Sequence, residues 1–510
     1  MPFERTKVVR LSRRDPVGIS PSSCVGWPTD PGGEHVVTQV AIIGGSVAGL
    51  GAAIGLAAHG IDVTIIERDP GPTTESGDEA FLTWRRPGVT QFRQGHGFSA
   101  RARTLLLTHA PSVVERLRAD GVEEMNFFRL LAPEELWNAA DDEYTNLWTR
   151  RPGFELALRR FVEDHAGIDL VSPAAVAGLE IASGTPPRVT GLRLDDGTLI
   201  EADCVLDGAG RRSPVPRWLG EIGIDVPYDE QDCDGTYFGR YYRRNPESPL
   251  SPLTLFGNAN GTQRLQFNSF PGDHDTFGLF LIVKPDDREL HALRTDAVFD
   301  AVLEKIPSLA PWGEPEHGTP LHSVEMMAGN RNRRFHYVVD DEPLVLGLIP
   351  VGDALCATNP FYGWGASMAL TYAFEAADAI AGHDDLRDAA LAYEAAIAAE
   401  ADGVYRESAG ADRRRYYESR NIEIPEWDRA EMDRQALIGC VAAGATRDEV
   451  LGRAFLRRTG LLESPDVVLD DPEVVEHARN TQRILASKAP RKIGPDDDEL
   501  AAILAGARTP

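Results

Sequence analysis

The chain has 510 residues, 79 of them acidic and 52 basic, for a formal charge of −27 at pH 7, and 42 % are hydrophobic. That length predicts about three domains, or two large interleaved ones, and the apolar content excludes a disordered chain. The charge argues against nucleic acid or anionic membrane as partners, which need a basic surface, and no run of about eighteen apolar residues offers a membrane span. Five cysteines, Cys24, Cys204, Cys233, Cys356 and Cys440, are scattered without a CxxC or a Cys/His cluster. They predict a reduced, cytoplasmic protein with no disulfide framework and no metal site.

Residues 1–37 read as a flexible lead-in with Pro21, Pro28, Pro31 and Gly32-Gly33. Arg13-Arg14 faintly resembles an export signal, but Asp15-Pro16 follows and no apolar stretch comes after it. The first strongly patterned unit starts at Thr38. Val40 to Ile43 has the size of a buried parallel strand, a small-residue helix runs from Leu50 to His59, Gly60 caps it, and Val63 to Ile66 is a second strand. Residues 70–100 are loop-like, and 101–120 and 154–165 read as helices. The turn Asp195-Asp196-Gly197 predicts a hairpin, followed by a buried strand over 204–206. Residues 225–340 are strand-rich, with Thr236–Tyr242 and Phe277–Val283 as candidates. Leu344 to Ile349 reads as a buried strand, Ala366 to Ala381 as a helix, and 386–460 as mostly helical.

Gly44-x-Ser46-x-x-Gly49 is a glycine fingerprint with serine at the second position. It lies between a strand and a helix, and Glu67 ends the next strand about 18 residues beyond Gly49, near the usual spacing of ~20. Gly44 permits the tight turn and Gly49 lets the helix approach the strand. The helix N-terminus at Gly45, Ser46, Val47 and Ala48 offers amides and positive dipole to a pyrophosphate. Glu67, followed by Arg68, can accept from ribose hydroxyls. Asp207-Gly208-Ala209-Gly210-Arg211-Arg212-Ser213 follows a later strand. Gly352-Asp353 and then Asn359-Pro360-Phe361-Tyr362-Gly363-Trp364-Gly365-Ala366 follow another.

In these three motifs, in this order, the chain resembles the class A flavoprotein monooxygenases, the para-hydroxybenzoate hydroxylase family, over roughly residues 38 to 400. The resemblance implies an α/β fold: a Rossmann-type FAD-binding domain with an inserted mixed β-sheet substrate domain and a helical C-terminal region. The FAD domain is expected in parts, 38–110, 166–224 and 341–385. A helical segment is expected at 111–165, the sheet domain at 225–340 and the helical region at 386–510. The resemblance also implies that Asp353 bonds the FAD ribityl chain and that Pro360, Gly363 and Gly365 lie against the isoalloxazine. The helix beginning near Ala366 then aims its positive end at the flavin. Arg101, with Arg103 as competitor, would reach the FAD phosphates or ribityl chain, and Val176 would sit by the adenine. Cys356 stands where the family has histidine, and Asn359 where it has a second proline. The Asp207 stretch and Gln91-Phe92-Arg93-Gln94-Gly95-His96 look like epoxidase- and halogenase-like relatives that oxidise polyketide and isoprenoid products.

The activity this implies is insertion of one oxygen atom from O2, through a flavin C4a-hydroperoxide, into a hydrophobic small molecule of bacterial secondary metabolism, by hydroxylation or epoxidation. NADPH or NADH supplies the electrons, by transient binding or through a separate flavin reductase. The alternative is an FAD-dependent dehydrogenase or reductase, resembling the geranylgeranyl reductases, without oxygen insertion. A halogenase is disfavoured, because no lysine lies between Lys7 and Lys284 and no Trp-x-Trp occurs. Candidates near the reaction are Tyr362 and Trp364, as pocket wall or simple packing, and His96, with His322 and His336, as proton relays or ordinary histidines. Tyr237, Phe238, Tyr241 and Tyr242 line the pocket side of the sheet or form its core.

Overall fold

A computed structural model describes residues 37–255, 260–487 and 492–507. The expected lead-in over 1–37 lies outside the described residues except for Val37, as does Cys24. A five-stranded parallel sheet sits at the centre. Its order is Leu348–Pro350, Cys204–Asp207, Gln39–Ile43, Asp62–Ile66, Ile168–Val171. The first strand in sequence therefore has parallel partners on both sides. Its residues are buried on both faces, as a covered parallel strand requires. Val40 and Ile42 pack into one core with the helices Val47–Ala58 and Gly365–Ala381, and Ala41 and Ile43 face a second core under the hairpin Arg188–Glu201 and Trp218.

Five local expectations are corrected. The loop 70–100 contains a helix, Gly77–Thr83, whose Ser76 cap accepts from the Glu79 amide and whose first turn carries Asp78 and Glu79. The helix over 101–120 is two helices, Ala100–His109 and Pro111–Ala119. Pro111 pushes Ala110 out of the helical region, to φ −148° and ψ 62°. The segment 111–165 also holds an antiparallel pair, Glu123–Asn126 with Thr145–Trp148. The strand over 344–349 narrows to Leu348–Pro350, because Gly347 takes φ +69° while Leu346 bonds to Pro187 and Val189 instead. The inserted sheet is antiparallel in its described pairings rather than mixed, since tight turns such as the one between Gly272 and Thr276 join its strands.

That inserted sheet runs in the order Asn260–Gly261, Leu265–Gly272, Thr276–Val283, Thr236–Arg244, Gly318–Pro320. Thr276–Val283 is buried along its whole length, whereas Leu265–Gly272 alternates. Strand alternation splits the aromatic run. Phe238 and Tyr242 enter the core with the helix Asp296–Leu303, while Tyr237 and Tyr241 belong to clusters on the opposite face. Arg150 bridges the sheet to the parallel domain. Its Nε reaches Asp273, its Nη2 donates to Asp78 at 2.7 Å, and its guanidinium lies 4.5 Å over Phe81.

The region 386–510 is helical but is not one unit. The 35-residue helix Leu386–Arg420 backs the parallel domain, and four more α-helices follow it among the described residues. The last, Asp497–Ala507, returns to the inserted sheet, where Leu500 and Leu504 complete the core beside Asp296–Leu303. Leu500→Ala, at a fully buried position, is expected to cost about 2–5 kcal/mol. The check is the urea midpoint of the transition that reports on Trp312, which shares that core.

Candidate functional site

A cleft opens at the carboxyl ends of the parallel strands, beside the strand where the connections switch sides. Its walls come from Gly44 to Ala48, from Glu67 to Asp69, from Gly208 to Arg212, from Asp353 and from the loop Thr358 to Ala366. Gly44 holds φ +96°, and a Cβ on Gly49 would collide with the Gly44 carbonyl oxygen, so the helix can come this close only with glycine at both positions. Ser46 caps the helix in extended conformation but makes no side-chain capping bond. Its hydroxyl donates instead to Glu155 Oε2 at 3.1 Å and accepts from Arg151 Nη2 at 2.7 Å. The first-turn amides and the positive dipole end are thus left to a bound anion.

Behind that turn lies a buried lattice of charge. Arg86, 5 % exposed, meets Glu67 at 2.8 Å, Asp69 at 3.2 Å and Glu155. Burial alone would lower the Arg86 pKa; the pull of Glu155, Glu67 and Asp69 outweighs it and raises the value. Glu67 Oε2 also accepts from the Gly45 amide at 2.8 Å, and Oε1 from the Asp69 amide at 2.7 Å. A carboxylate oxygen takes two donors, so Oε1 keeps room for one more.

Arg151 stands at the middle of the cleft. Its Nη1 donates to His96 Nε2 at 3.1 Å, and its Nε reaches Glu155 Oε2 at 3.2 Å. His96 Nδ1 in turn donates to the Gln94 carbonyl at 2.9 Å. Burial first, then the nearby Arg151, pushes the His96 pKa down to about 3. The ring is neutral with both nitrogens engaged, which suits it to hold Arg151 and not to carry protons. Gln94 is 3 % exposed and its Oε1 has no partner, a buried acceptor in the cleft wall.

At the far end, Asp353 receives Arg211 through Nη2 at 3.1 Å and Nε at 3.2 Å. Asp207, fully buried, accepts from the Ala209 amide and the Ser213 hydroxyl, and burial pushes its carboxyl up to about 6 against those bonds. Gly363 takes φ +69° and packs directly against Gly97, where a Cβ on either would lie 3.2 Å from the other's backbone. The helix Gly365–Ala381 begins here with no acidic residue in its first turn, and Gly365 and Ala366 line the cleft.

The FAD binding domain family matches residues 37–81, the strand, fingerprint and second strand. Protein Rv3254 of Mycobacterium tuberculosis is 25 % identical over 465 residues, 86 % of this chain and 91 % of its own. Among solved structures, the flavin-dependent halogenase CmlS aligns with a TM-score of 0.57 at 20 % identity, over 80 % of this chain and 73 % of its own. PqsL of Pseudomonas aeruginosa, described as a probable FAD-dependent monooxygenase, aligns at 0.54 and 13 %, over 75 % of this chain and 99 % of its own. The brominase Bmp2 aligns at 0.55 and 17 %, over 88 % and 98 %. The likeness to these structures is one of fold.

In fold, the chain is class A flavoprotein monooxygenase-like. In this cleft, Gly44, Ser46, Val47, Ala48, Glu67, Arg68, His96, Val176, Asp353, Pro360, Gly363, Gly365 and Ala366 all reach the wall. Gly45 and Gly49 act behind it, through the close contacts with Glu67 and Gly44. Three expectations change. Arg101 turns away, its Nε on the Leu461 carbonyl at 2.6 Å and its Nη1 on Glu400 at 3.2 Å, while Arg103 pairs with Glu124. Their helix presents Arg101 to the C-terminal region and Arg103 to the strand Glu123–Asn126. Tyr362 and Trp364 stack on each other at 4.4 Å under Arg458, behind the loop rather than in the cleft. His96 is committed to Arg151.

The reading of the chain missed Arg86, Arg151 and Glu155. Arg151 and Glu155 lie on the amphipathic helix Arg151–Glu163, whose charges look like a solvated face until the fold buries Glu155. The available signal was Arg85-Arg86 before Pro87-Gly88 in a loop already suspected of a role.

These residues fit FAD on the observations of the cleft itself: an uncapped helix N-terminus, Arg151 bonded beside it, and a wall that includes Gly44, Gly208, Gly210, Gly363 and Gly365. The His96 shift has a consequence for pH. Its folded pKa lies below the ordinary 6.5, so as pH falls below 6.5 the unfolded chain takes the proton first and stability drops until about pH 3. His96→Phe is expected to flatten the stability slope across that window by up to about one proton, read from urea midpoints at a series of pH values. In the wild type, histidine-ring NMR is expected to show His96 neutral at pH 5, where His274, raised by its bond to Asp273, is protonated.

Proposed function

We propose that the chain is an FAD-dependent monooxygenase that transfers one oxygen atom from O2 to a hydrophobic small molecule, by hydroxylation or epoxidation. One observation carries the reading: three segments far apart in sequence, 44–49, 207–213 and 352–366, close around a single cleft. The fingerprint helix takes the pyrophosphate with its amides, and Arg151 adds charge and hydrogen bonds there. Glu67 Oε1 accepts from the ribose. Asp353, steered by Arg211, holds the ribityl chain, and Val176 lies by the adenine. Pro360, Gly363 and Gly365 form a flat wall for the ring, and the N-terminus of Gly365–Ala381 stabilises negative charge near it. FAD, when bound, supplies electron storage and O2 activation. The chain's task is to orient the substrate and exclude water. NADH or NADPH provides the electrons, directly or through a flavin reductase.

The decisive experiment starts from the visible spectrum of the purified protein, then anaerobic reduction with NADH or NADPH, then stopped-flow admission of O2. Oxygenation predicts a transient unlike both the oxidised and the reduced spectra. Monotonic reoxidation without a transient, with and without added hydrophobic phenols or polyenes, would favour the dehydrogenase or reductase. Reduction by dithionite but not by nicotinamide would assign the electrons to a reductase. Arg151→Met is expected to weaken FAD binding about ten- to hundredfold, the value of one or two charge-assisted hydrogen bonds. Arg101→Met is expected to change it less than about threefold, well below one such bond. Flavin fluorescence titration of the apoprotein measures both.

A further inference from the structure

The long helix Leu386–Arg420 passes behind the cofactor loop and presents Ser408, Asp412 and Arg415 to it, spaced so that they share one helical face. Asp412 is fully buried. Its carboxylate accepts from Asn359 Nδ2 at 2.7 Å, Asn332 Nδ2 at 2.7 Å, the Asp234 amide at 3.2 Å and the Arg415 guanidinium. Three of these donors fall on Oδ1 and one on Oδ2, so both oxygens are engaged, which a carboxylate allows and an amide, with a single oxygen, does not. Asn359 is equally committed. Its amide N–H bonds Asn332 Oδ1 at 2.8 Å and Ser408 Oγ at 3.1 Å, and its Oδ1 accepts from the Phe361 amide at 3.0 Å and from the Tyr237 hydroxyl. Arg415, its side chain 14 % exposed, lies 5.0 Å over the Phe361 ring. The neighbouring Asp234 is balanced by Arg420, which also reaches Asp286. Asn359 itself lines the cleft.

We propose that Asp412 and Arg415 are a positioning pair for the cofactor loop: Asp412 locks Asn359, and the neutral sum of the pair sets the electrostatic balance under the flavin end of the cleft. The proposal rests on the FAD reading above. The loop Thr358–Gly365 has few backbone bonds of its own, so its shape is held from behind. Tyr237 extends the same lock to the inserted sheet, where it shares a cluster with Ile282, Met327 and Phe361. The pair is buried, so removing either partner leaves an uncompensated charge beside the cleft that water screens poorly. The sign follows from which charge remains. Arg415 alone favours the electron-rich reduced flavin, and Asp412 alone opposes it.

The test uses the full chain and two readouts. In the apoprotein, hydrogen exchange at the Phe361 amide is expected to accelerate at least tenfold in Asp412→Asn and in Tyr237→Phe. In the FAD-loaded protein, the flavin midpoint potential is expected to rise in Asp412→Asn and to fall in Arg415→Met. Each shift should be about 30 mV or more, a tenfold change for a two-electron couple, and the double variant should return near wild type. A role in stability alone would lower melting temperatures without opposite signs of potential. Unchanged exchange, or potentials that stay put or move the same way, overturns the proposal. If Asp412→Asn does not fold, Arg415→Met and Tyr237→Phe carry the two readouts. A wild-type chain that binds no FAD overturns the FAD reading and the potential-setting role, while the exchange readout still decides the lock.

Discussion

The cleft depends on how closely the helix Val47–Ala58 approaches the strand before it. That approach is possible because Gly49 has no Cβ to meet the Gly44 carbonyl and Gly44 can hold a positive φ. It brings an unshielded helix N-terminus to the end of the central strand. Its cost is a turn with little side-chain support of its own. The support comes from Arg86 and its three carboxylates, which tie the Gly45 turn to the end of the second strand and to the helix Arg151–Glu163. A buried arginine ringed by acids stays only while every partner is in place, because losing one leaves a buried charge exposed to a poor dielectric. The turn at the helix N-terminus is therefore held in place by charges that lie behind it.

The far end of the cleft is built on another principle. The loop 358–366 is held by side chains from the C-terminal helices. Asp412 and Ser408 meet Asn359, Arg458 covers Tyr362 and Trp364, and Glu407, fully buried, fixes Arg458 at 2.6 Å. Arg101 joins the same side of the molecule, bonded to Leu461 and Glu400. The C-terminal helices thus act as the back plate of the loop 358–366. The final helix leaves that plate to finish the core of the inserted sheet, so the C-terminal region clasps both halves.

Between those halves, Arg150, Asp78, Asp273 and Arg243 make a second buried ion cluster. It couples the sheet to the helix that also carries Arg151, an arginine of the cleft wall. Arg150 and Arg151 are adjacent in sequence yet serve different partners, because the helix begins between them and turns their side chains apart.

The parallel unit, the fingerprint, Asp207-Gly208 and Gly352-Asp353 were legible in the residues alone. Each is a local pattern: glycine where φ or a close approach demands it, an apolar run for a buried strand, an acid at a fixed distance. Arg101 was misassigned, and Arg86, Glu155, Arg151 and Asp412 went unseen, for one reason. Whether a charged side chain faces water, a partner or a cofactor depends on which helix packs behind it, and no short window of sequence contains that helix. Asn359 shows the boundary well. Its departure from proline was visible in the chain, but its partners lie at 237, 332, 408 and 412, and only long-range packing brings those three segments to one amide.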